Sequence, residues 1–354
     1  MLDWTSLCRY FLAPGRHRFA LAGLLLLTGC GWGGNDEPEE PEIPAWVSDV
    51  KPSAEASAVE SQLALRLRAG DRFPLRKVIE KEVSQETPNG EPQVHRLRIE
   101  LTLGMTVDEV RDGKTRFRVR YDRVRYTHHM PTEVIEYDSS SPPQELPLSI
   151  LAWHAMVGDG FSFWVGRDNQ IAGVEGFQEF LDRCLSGIPA DRRDEVVLSI
   201  ESSSGENGVT DFIDNAIGLL PYGEVKSPGQ SWDRSRHIGR PVPMVIDNKY
   251  TLKELNDRRA VVQISGTITP STTLMELQQA DAAKVRMTVR NGSTWGTCTL
   301  FRDTGLPETS HVEHEILLTV QMSGGQTFDQ RVRGATTIEA FPAQVGAATL
   351  LGPR

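Results

Sequence analysis

The chain has 354 residues with 48 acidic and 38 basic side chains, a formal charge of −10 at neutral pH. That balance argues against nucleic acid as a partner, and the length suffices for one large domain or two ordinary ones. With no Cys-x-x-Cys pair and no His-Glu-x-x-His motif, the sequence carries no zinc signature, and neither a phosphate loop nor a dinucleotide fingerprint is present.

Arg9, Arg16, His17 and Arg18 precede an apolar run from Phe19 to Leu27. Its length fits a secretory signal and is too short for a membrane-spanning helix. The run ends Leu27-Thr28-Gly29-Cys30, which resembles the lipobox of bacterial lipoproteins. The resemblance implies cleavage before Cys30, a diacylglycerol on its thiol and an acylated amino group. Two or more acyl chains anchor a protein stably. The alternative is a plain cleaved signal with a chance cysteine. Gly31 and Trp32 lack an aspartate that would retain the protein in an inner membrane, so the expected location is the outer membrane, facing the periplasm. Residues 30–60 are rich in Gly, Pro and acids and read as a tether. The expected organisation is a signal at 1–29, the tether at 30–60, a β-rich unit at 61–175, a helical insert at 176–222, a second β-rich unit at 223–345 and a tail at 346–354.

In "HRLRIELTL", Leu97, Ile99, Leu101 and Leu103 alternate with polar residues. "TRFRVRY" sets Phe117, Val119 and Tyr121 against Arg116, Arg118 and Arg120. Period-two alternation predicts half-buried antiparallel strands. Beyond Tyr121 the apolar phase shifts to Val124 and Tyr126, which predicts a bulge. The arginine stripe, continued by Arg123 and Arg125, reads as a solvated face with cross-strand acids; contact with an anionic lipid or glycan is the alternative.

The middle of the chain changes period. "FQEFLDRCL" places Phe177, Phe180, Leu181, Cys184 and Leu185 at helical spacing, and "VTDFIDNAIGLL" does so with Val209, Phe212, Ile213, Ala216, Ile217 and Leu220. Between them "PADRRDEVVLSI" opens on a proline suited to a first helical turn. Further on, Asn291-Gly292 predicts a hairpin turn. "AGDRF" at 69–73 is echoed by "PGQSW" at 228–232, and "FSFWVGRDNQI" by "GTCTLFRDTGL", which raises the question of two related β units.

Cys184 and Cys298 sit in apolar patterns where cysteine acts as a small hydrophobe; a disulfide between them is the alternative. His311 and His314, and His128 and His129, read as strand positions whose side chains diverge, so no metal site is expected. No GxSxG elbow occurs, Ser202–Ser204 reads as a helix end, and Asp211 and Asp214 read as a solvated helix face. No catalytic residue or cofactor is assigned.

Gly70-Asp71-Arg72-Phe73, Gly229-Gln230-Ser231-Trp232, the "YDSS" of Tyr137–Ser140 and "LLPYGEV" together resemble a family of uncharacterised bacterial lipoproteins classed as a domain of unknown function. The resemblance covers roughly residues 65–340 and brings no catalytic or ligand residues. Gln230 departs from the acid usual in the second opening. At the level of architecture the pattern is similar to the open half-barrels of periplasmic lipoprotein carriers, which implies an apolar ligand between sheet and helices.

The expected fold is α+β, mostly antiparallel, with a large curved sheet or half-barrel and about three amphipathic helices inserted centrally. The expected role is a non-enzymatic interaction or structural module of the envelope, its partners the membrane, through lipid on Cys30, and another envelope protein. The first alternative is a carrier of a hydrophobic ligand lined by Phe177, Phe180, Phe212 and Ile213. The second is a hydrolase without a recognisable motif.

Overall fold

The structure is a computed structural model that describes residues 61–86, 92–167, 169, 171–204, 220–221, 225–239, 242–271, 285–322 and 325–341. Its strands are β1 (Ser61–Gln62), β2 (Arg72–Glu86), β3 (Pro92–Arg111), β4 (Lys114–His129), β5 (Val134–Asp138), β6 (Gly160–Val165), β7 (Ile171–Glu175), β8 (Val225–Lys226), β9 (Ser231–Ile238), β10 (Met244–Leu255), β11 (Arg259–Pro270), β12 (Val285–Phe301), β13 (Pro307–Met322) and β14 (Thr327–Ala340). The helices are α1 (Leu148–Ala155), α2 (Phe177–Cys184) and α3 (Arg193–Ser204). None of the described helices is long and apolar enough to cross a membrane.

Among the described residues, twelve strands form one open antiparallel sheet in the order β7-β6-β4-β3-β2-β14-β13-β12-β11-β10-β9, with β5 also on β4, while β1 and β8 pair separately. The fold is thus α+β, mostly antiparallel, with one large curved sheet. Each half is five strands that follow in sequence across the sheet. β2, β3, β4, β6 and β7 follow in sequence across one half, β9 to β13 do the same across the other, and β14 joins them.

The openings of the two halves share one geometry. Gly70 (φ +93°) donates to the Val107 carbonyl and Val107 donates back to that of Asp71, each at 2.8 Å. Gly229 (φ +87°) donates to Leu252 at 2.7 Å, and Leu252 donates to Gln230 at 2.9 Å. An Asp71 carboxylate oxygen accepts from the Arg68 N–H at 2.7 Å, and the Gln230 amide oxygen accepts from Ser227 at 2.9 Å. Gln230 therefore does the work of the acid it replaces, because the turn needs an acceptor and not a charge.

The strands follow their alternation. One face carries Phe73, Leu75, Ile79, Ile99, Leu101, Phe117, Val119 and their neighbours, all buried; the other carries ion pairs. The phase change in β4 is a bulge: Leu103 opposes Tyr121 while Thr102 opposes Arg123, leaving Asp122 unpaired in the ladder. Asn291-Gly292 is not a turn. β12 runs through it as an interior strand paired with β11 and β13, with a register shift between Val289 and Asn291. Ladders on both sides override the local turn preference. Turns do separate β6 from β7 and β12 from β13, at the two echoed segments.

Two of the expected helices are present as α2 and α3; the third lies outside the described residues apart from Leu220. The sequence reading also missed α1. Ile150, Ala152 and Trp153 are buried on it, and "LSILAWHA" is apolar almost all the way round, so it shows no helical stripe. α1 and α2 cover the apolar face of β4 and β6: Trp153 lies against Tyr126, and Phe180 stacks on Tyr121 at 5.6 Å between ring centroids.

Candidate functional site

The inner, helix-bearing face is not uniformly apolar. Following the register from one edge of the sheet, Arg234 opposes Asn248, which opposes Gly266, then Thr294, His314, Gly334 and Lys81. These seven residues form one transverse row across seven consecutive strands, all on the same face. Arg236 stands one inner position further along β9, and beyond Lys81 the band continues into His95 on β3 and His128 on β4.

This row splits the core. On one side lie two clusters, one including Ile79, Ile99, Phe117 and Ile338, the other Trp232, Tyr250, Leu252, Val262 and Cys298. On the other side a third holds Val83, Ile238, Met244, Ile268, Val289, Ile316 and Val332. Each of the seven strands contributes apolar side chains above and below and a polar residue or glycine at the row. The physical cause is a run of interruptions of the alternation: Lys81 between Ile79 and Val83, His314 between Val312 and Ile316, Asn248 between Ile246 and Tyr250, and both Arg234 and Arg236 between Trp232 and Ile238.

Among the described residues, no Asp or Glu of the twelve strands faces inward. The ionisable side chains that the described strands turn inward are thus basic, and a buried cation is costly to hold unless it is paired. Burial lowers the Lys81 ammonium to about 8. Desolvation, and then the charges of Lys81 and Arg236, bring His314 down to about 4. His128 is also lowered to about 4, by desolvation first and then by His95, His129 and Lys81. Arg236 sits four strands from His314 along the sheet, a separation of about 19 Å if the sheet were flat. The Asn248 Oδ1 atom is buried with no hydrogen-bond partner among the described residues, while its Nδ2 donates to the Tyr250 hydroxyl at 3.3 Å.

The residues singled out from the sequence occupy other places. Phe180 is buried against Tyr121 and Phe161, and Phe177 meets Phe161 edge-on at 5.2 Å. Both are core contacts between α2 and the sheet. Phe212 and Ile213 lie outside the described residues, as do Leu27, Thr28, Gly29 and Cys30. Cys184 and Cys298 are both free and buried, in different clusters, so the bridge considered between them is not formed. Burial raises both thiols to about 12.

The two histidine pairs do diverge. His311 donates to or accepts from the Thr337 hydroxyl at 2.9 Å on the outer face, while His314 faces in. The arginine stripe is outward and paired with acids: Arg116 with Asp108 and Glu175, Arg118 with Asp108, Arg120 with Asp122, and Arg123 and Arg125 with Asp138. The "YDSS" motif is a clasp. Tyr137 bonds His154 of α1 at 2.8 Å, Asp138 takes the two arginines and the Ser140 N–H, and Ser139 Oγ accepts from the Val124 N–H beyond the bulge. Arg123, followed by Ser140, holds the Asp138 carboxyl well below the usual range.

A large open antiparallel sheet with a basic row across its covered face is the frame that these contacts define. The chain belongs to a family described as "Family of unknown function (DUF6263)", whose model matches residues 112–307. No curated protein matches it. Among solved structures it is similar to lipovitellin, in a structure titled for its lipid–protein interactions, at 8% identity and a TM-score of 0.42 over 80% of this chain and 27% of that one. This chain thus spans about a quarter of that protein's length. An outer membrane channel from Pseudomonas putida F1 matches at 8% identity and a TM-score of 0.20, over 80% of this chain and 100% of that one. OmpF of Salmonella typhi, in complex with daunomycin, matches at 9% and 0.19, over 76% and 98%. Likenesses this distant carry no functional argument.

Proposed function

We propose that this chain is a membrane-tethered binding protein of the bacterial cell envelope whose inner sheet face takes an amphiphilic small molecule. One observation carries the reading: apolar clusters lie on both sides of a polar row within a single covered face. Ligand sites combine mostly apolar walls with a few placed polar groups, and an aligned row of polar side chains within an apolar face supplies that combination. The lipobox-like segment at 27–30 supports a lipid on Cys30 followed by a tether, and Gly31 and Trp32, in place of an aspartate, support the outer membrane as the location.

The interaction-module reading has less support. Among the described residues, the exposed large hydrophobics are Val110, Val134, Val174 and Phe341, scattered over four separate elements or connections, whereas a docking surface shows a contiguous patch.

The test is native mass spectrometry of the complete mature chain, exported behind a cleavable signal and carrying Cys30→Ser so that it stays in solution. A bound small molecule, or saturable uptake of an apolar fluorophore into the empty protein, is expected. A folded protein that carries nothing and takes up no such probe would overturn the proposal.

A further inference from the structure

The segment that leads into the first opening crosses between the two halves. Leu63 is buried in the cluster of Trp232, Leu252 and Cys298, and Leu67 in the cluster of Phe73, Leu75 and Ile338. Among the described residues, Leu65 alone packs against both clusters. Arg66 and Arg68 alternate with these leucines and are exposed, so one side of the stretch lies on the inner face of the sheet. Its seat is the turn between β12 and β13. The Arg66 N–H donates to the Thr304 carbonyl at 3.0 Å, and a Cβ on Gly305 would stand 2.4 Å from the Ala64 carbonyl oxygen.

The two ends of this stretch are held unequally. At its far end Gly70 and Asp71 exchange main-chain bonds with Val107 of β3, and the Asp71 N–H closes the turn onto the Arg68 carbonyl at 3.0 Å. At its start β1 pairs only with β8, through Ser61 with Lys226 and Gln62 with Val225, apart from the twelve-stranded sheet. Between the two, three leucines and the Arg66–Thr304 bond do the fastening among the described residues. A stretch held by so few main-chain bonds opens at lower cost than interior strands bonded on both sides.

We propose that residues 61–67 are a releasable strap: they leave the inner face as a unit, pivoting at the Arg68–Gly70 turn, while the twelve-stranded sheet stays paired. Release separates the one described side chain shared by the two clusters and opens the inner face at the end where both halves begin. The segment read from the sequence as a tether joins the strap at Ser61, so a pull along it acts first on the short β1–β8 pair. The strap is then also the route by which an amphiphile reaches the inner face; that consequence rests on the binding reading above, and the release does not.

The experiment labels the complete mature Cys30→Ser chain carrying Leu63→Cys with iodoacetamide, with and without urea at about 1 M, well below unfolding. Cys184 and Cys298, both free and buried, are the references within the same molecule. Expected is labelling at position 63 at least about a hundredfold faster than at either reference, at a rate that urea leaves unchanged, as an opening that exposes little surface requires. Labelling no faster than at the references, or rising with urea as steeply as theirs, would mean that the strap opens only with the whole fold and would overturn the proposal. Hydrogen exchange of the unsubstituted leucine repeats the comparison should Leu63→Cys not fold, with the Arg66 amide set against those of Leu101 and Val262 in interior strands. The route is read separately, from uptake of N-phenyl-1-naphthylamine. Leu65→Asp is expected to speed uptake about fivefold or more. An unchanged rate would overturn the route and leave the release standing, and no uptake by either chain would remove the route together with the binding reading.

Discussion

Gly334 lies directly opposite His314 on the neighbouring strand, and the imidazole occupies the space where a side chain at 334 would begin: a Cβ there would stand 2.3 Å from Cε1 of the ring. The absent side chain is what lets His314 lie flat in the row. Gly334→Ala must displace the ring, and forcing extra volume into a packed site costs about 1–3 kcal/mol. We expect a lowered urea midpoint with an unchanged m-value. His314→Ala in the same chain should return most of the loss, because the two residues couple directly. Strict additivity of the two substitutions would show that the contact is not the source.

Phe180 is the anchor of α2, enclosed by Tyr121, Phe161 and Phe177. Its truncation to alanine is expected to cost about 3–5 kcal/mol, in line with buried phenylalanines elsewhere. Phe177, which keeps some exposure and packs chiefly against Phe161 and Phe180, should cost clearly less. Equal losses in chemical denaturation would mean that the two do not divide into anchor and flank as the geometry indicates.

Alternation made the strands legible: Leu97 to Leu103 and Phe117 to Tyr121 name their inward faces directly, and the phase change after Tyr121 marks the bulge at Asp122. The outward arginines were legible for the same reason. α1 was not, since a helix apolar on all sides has no stripe to detect, and Asn291-Gly292 misled because a local turn preference cannot report ladders formed with residues twenty or more positions away. The row was hidden for a related reason. Lys81, Asn248, His314 and Arg234 each look like one misplaced polar residue in an apolar alternation. Only the register across seven strands reveals that the interruptions are aligned. His311 and His314 drew notice as a pair, whereas the partner that matters to His314 is Lys81, two strands away.

The paired openings predict paired costs. Gly70 and Gly229 both sit at φ near +90°, a region that L side chains rarely adopt, so alanine at either position is expected to lower stability by about 1–3 kcal/mol. Asp71→Asn should be nearly silent, because Gln230 already shows that a neutral oxygen serves this turn. Asp71→Ala and Gln230→Ala, which remove the acceptor, should each cost about 0.5–1.5 kcal/mol. A large penalty for Asp71→Asn in thermal unfolding would mean that charge, not the acceptor alone, holds the first opening.

The basic row fixes a pH dependence with a definite sign. His128 and His314 are neutral in the fold down to about 4, while in the unfolded chain they take up protons near 6.5. Between those values the unfolded state binds more protons, so stability is complete above pH 6.5, falls as pH drops toward 4, and is not lowered further by these groups below that. Each histidine contributes a slope of at most about 1.4 kcal/mol per pH unit in that window. The groups around His314 are Lys81 and Arg236, and around His128 they are His95, His129, Lys81 and the Tyr126 hydroxyl. The carboxylates held low by arginines, Glu100, Asp138 and Asp159, lose their contribution only at more acid pH. Lys81 acts on the alkaline side: with its folded value near 8 and its unfolded value near 10.4, stability rises as pH climbs through that interval. Urea midpoints measured from pH 4 to 10 should therefore show two rising segments. His314→Gln should reduce the slope of the first, to which His95 and His128 also contribute because burial lowers both, and Lys81→Met should flatten the second. An unchanged first segment in His314→Gln would place that histidine in water rather than in the covered row.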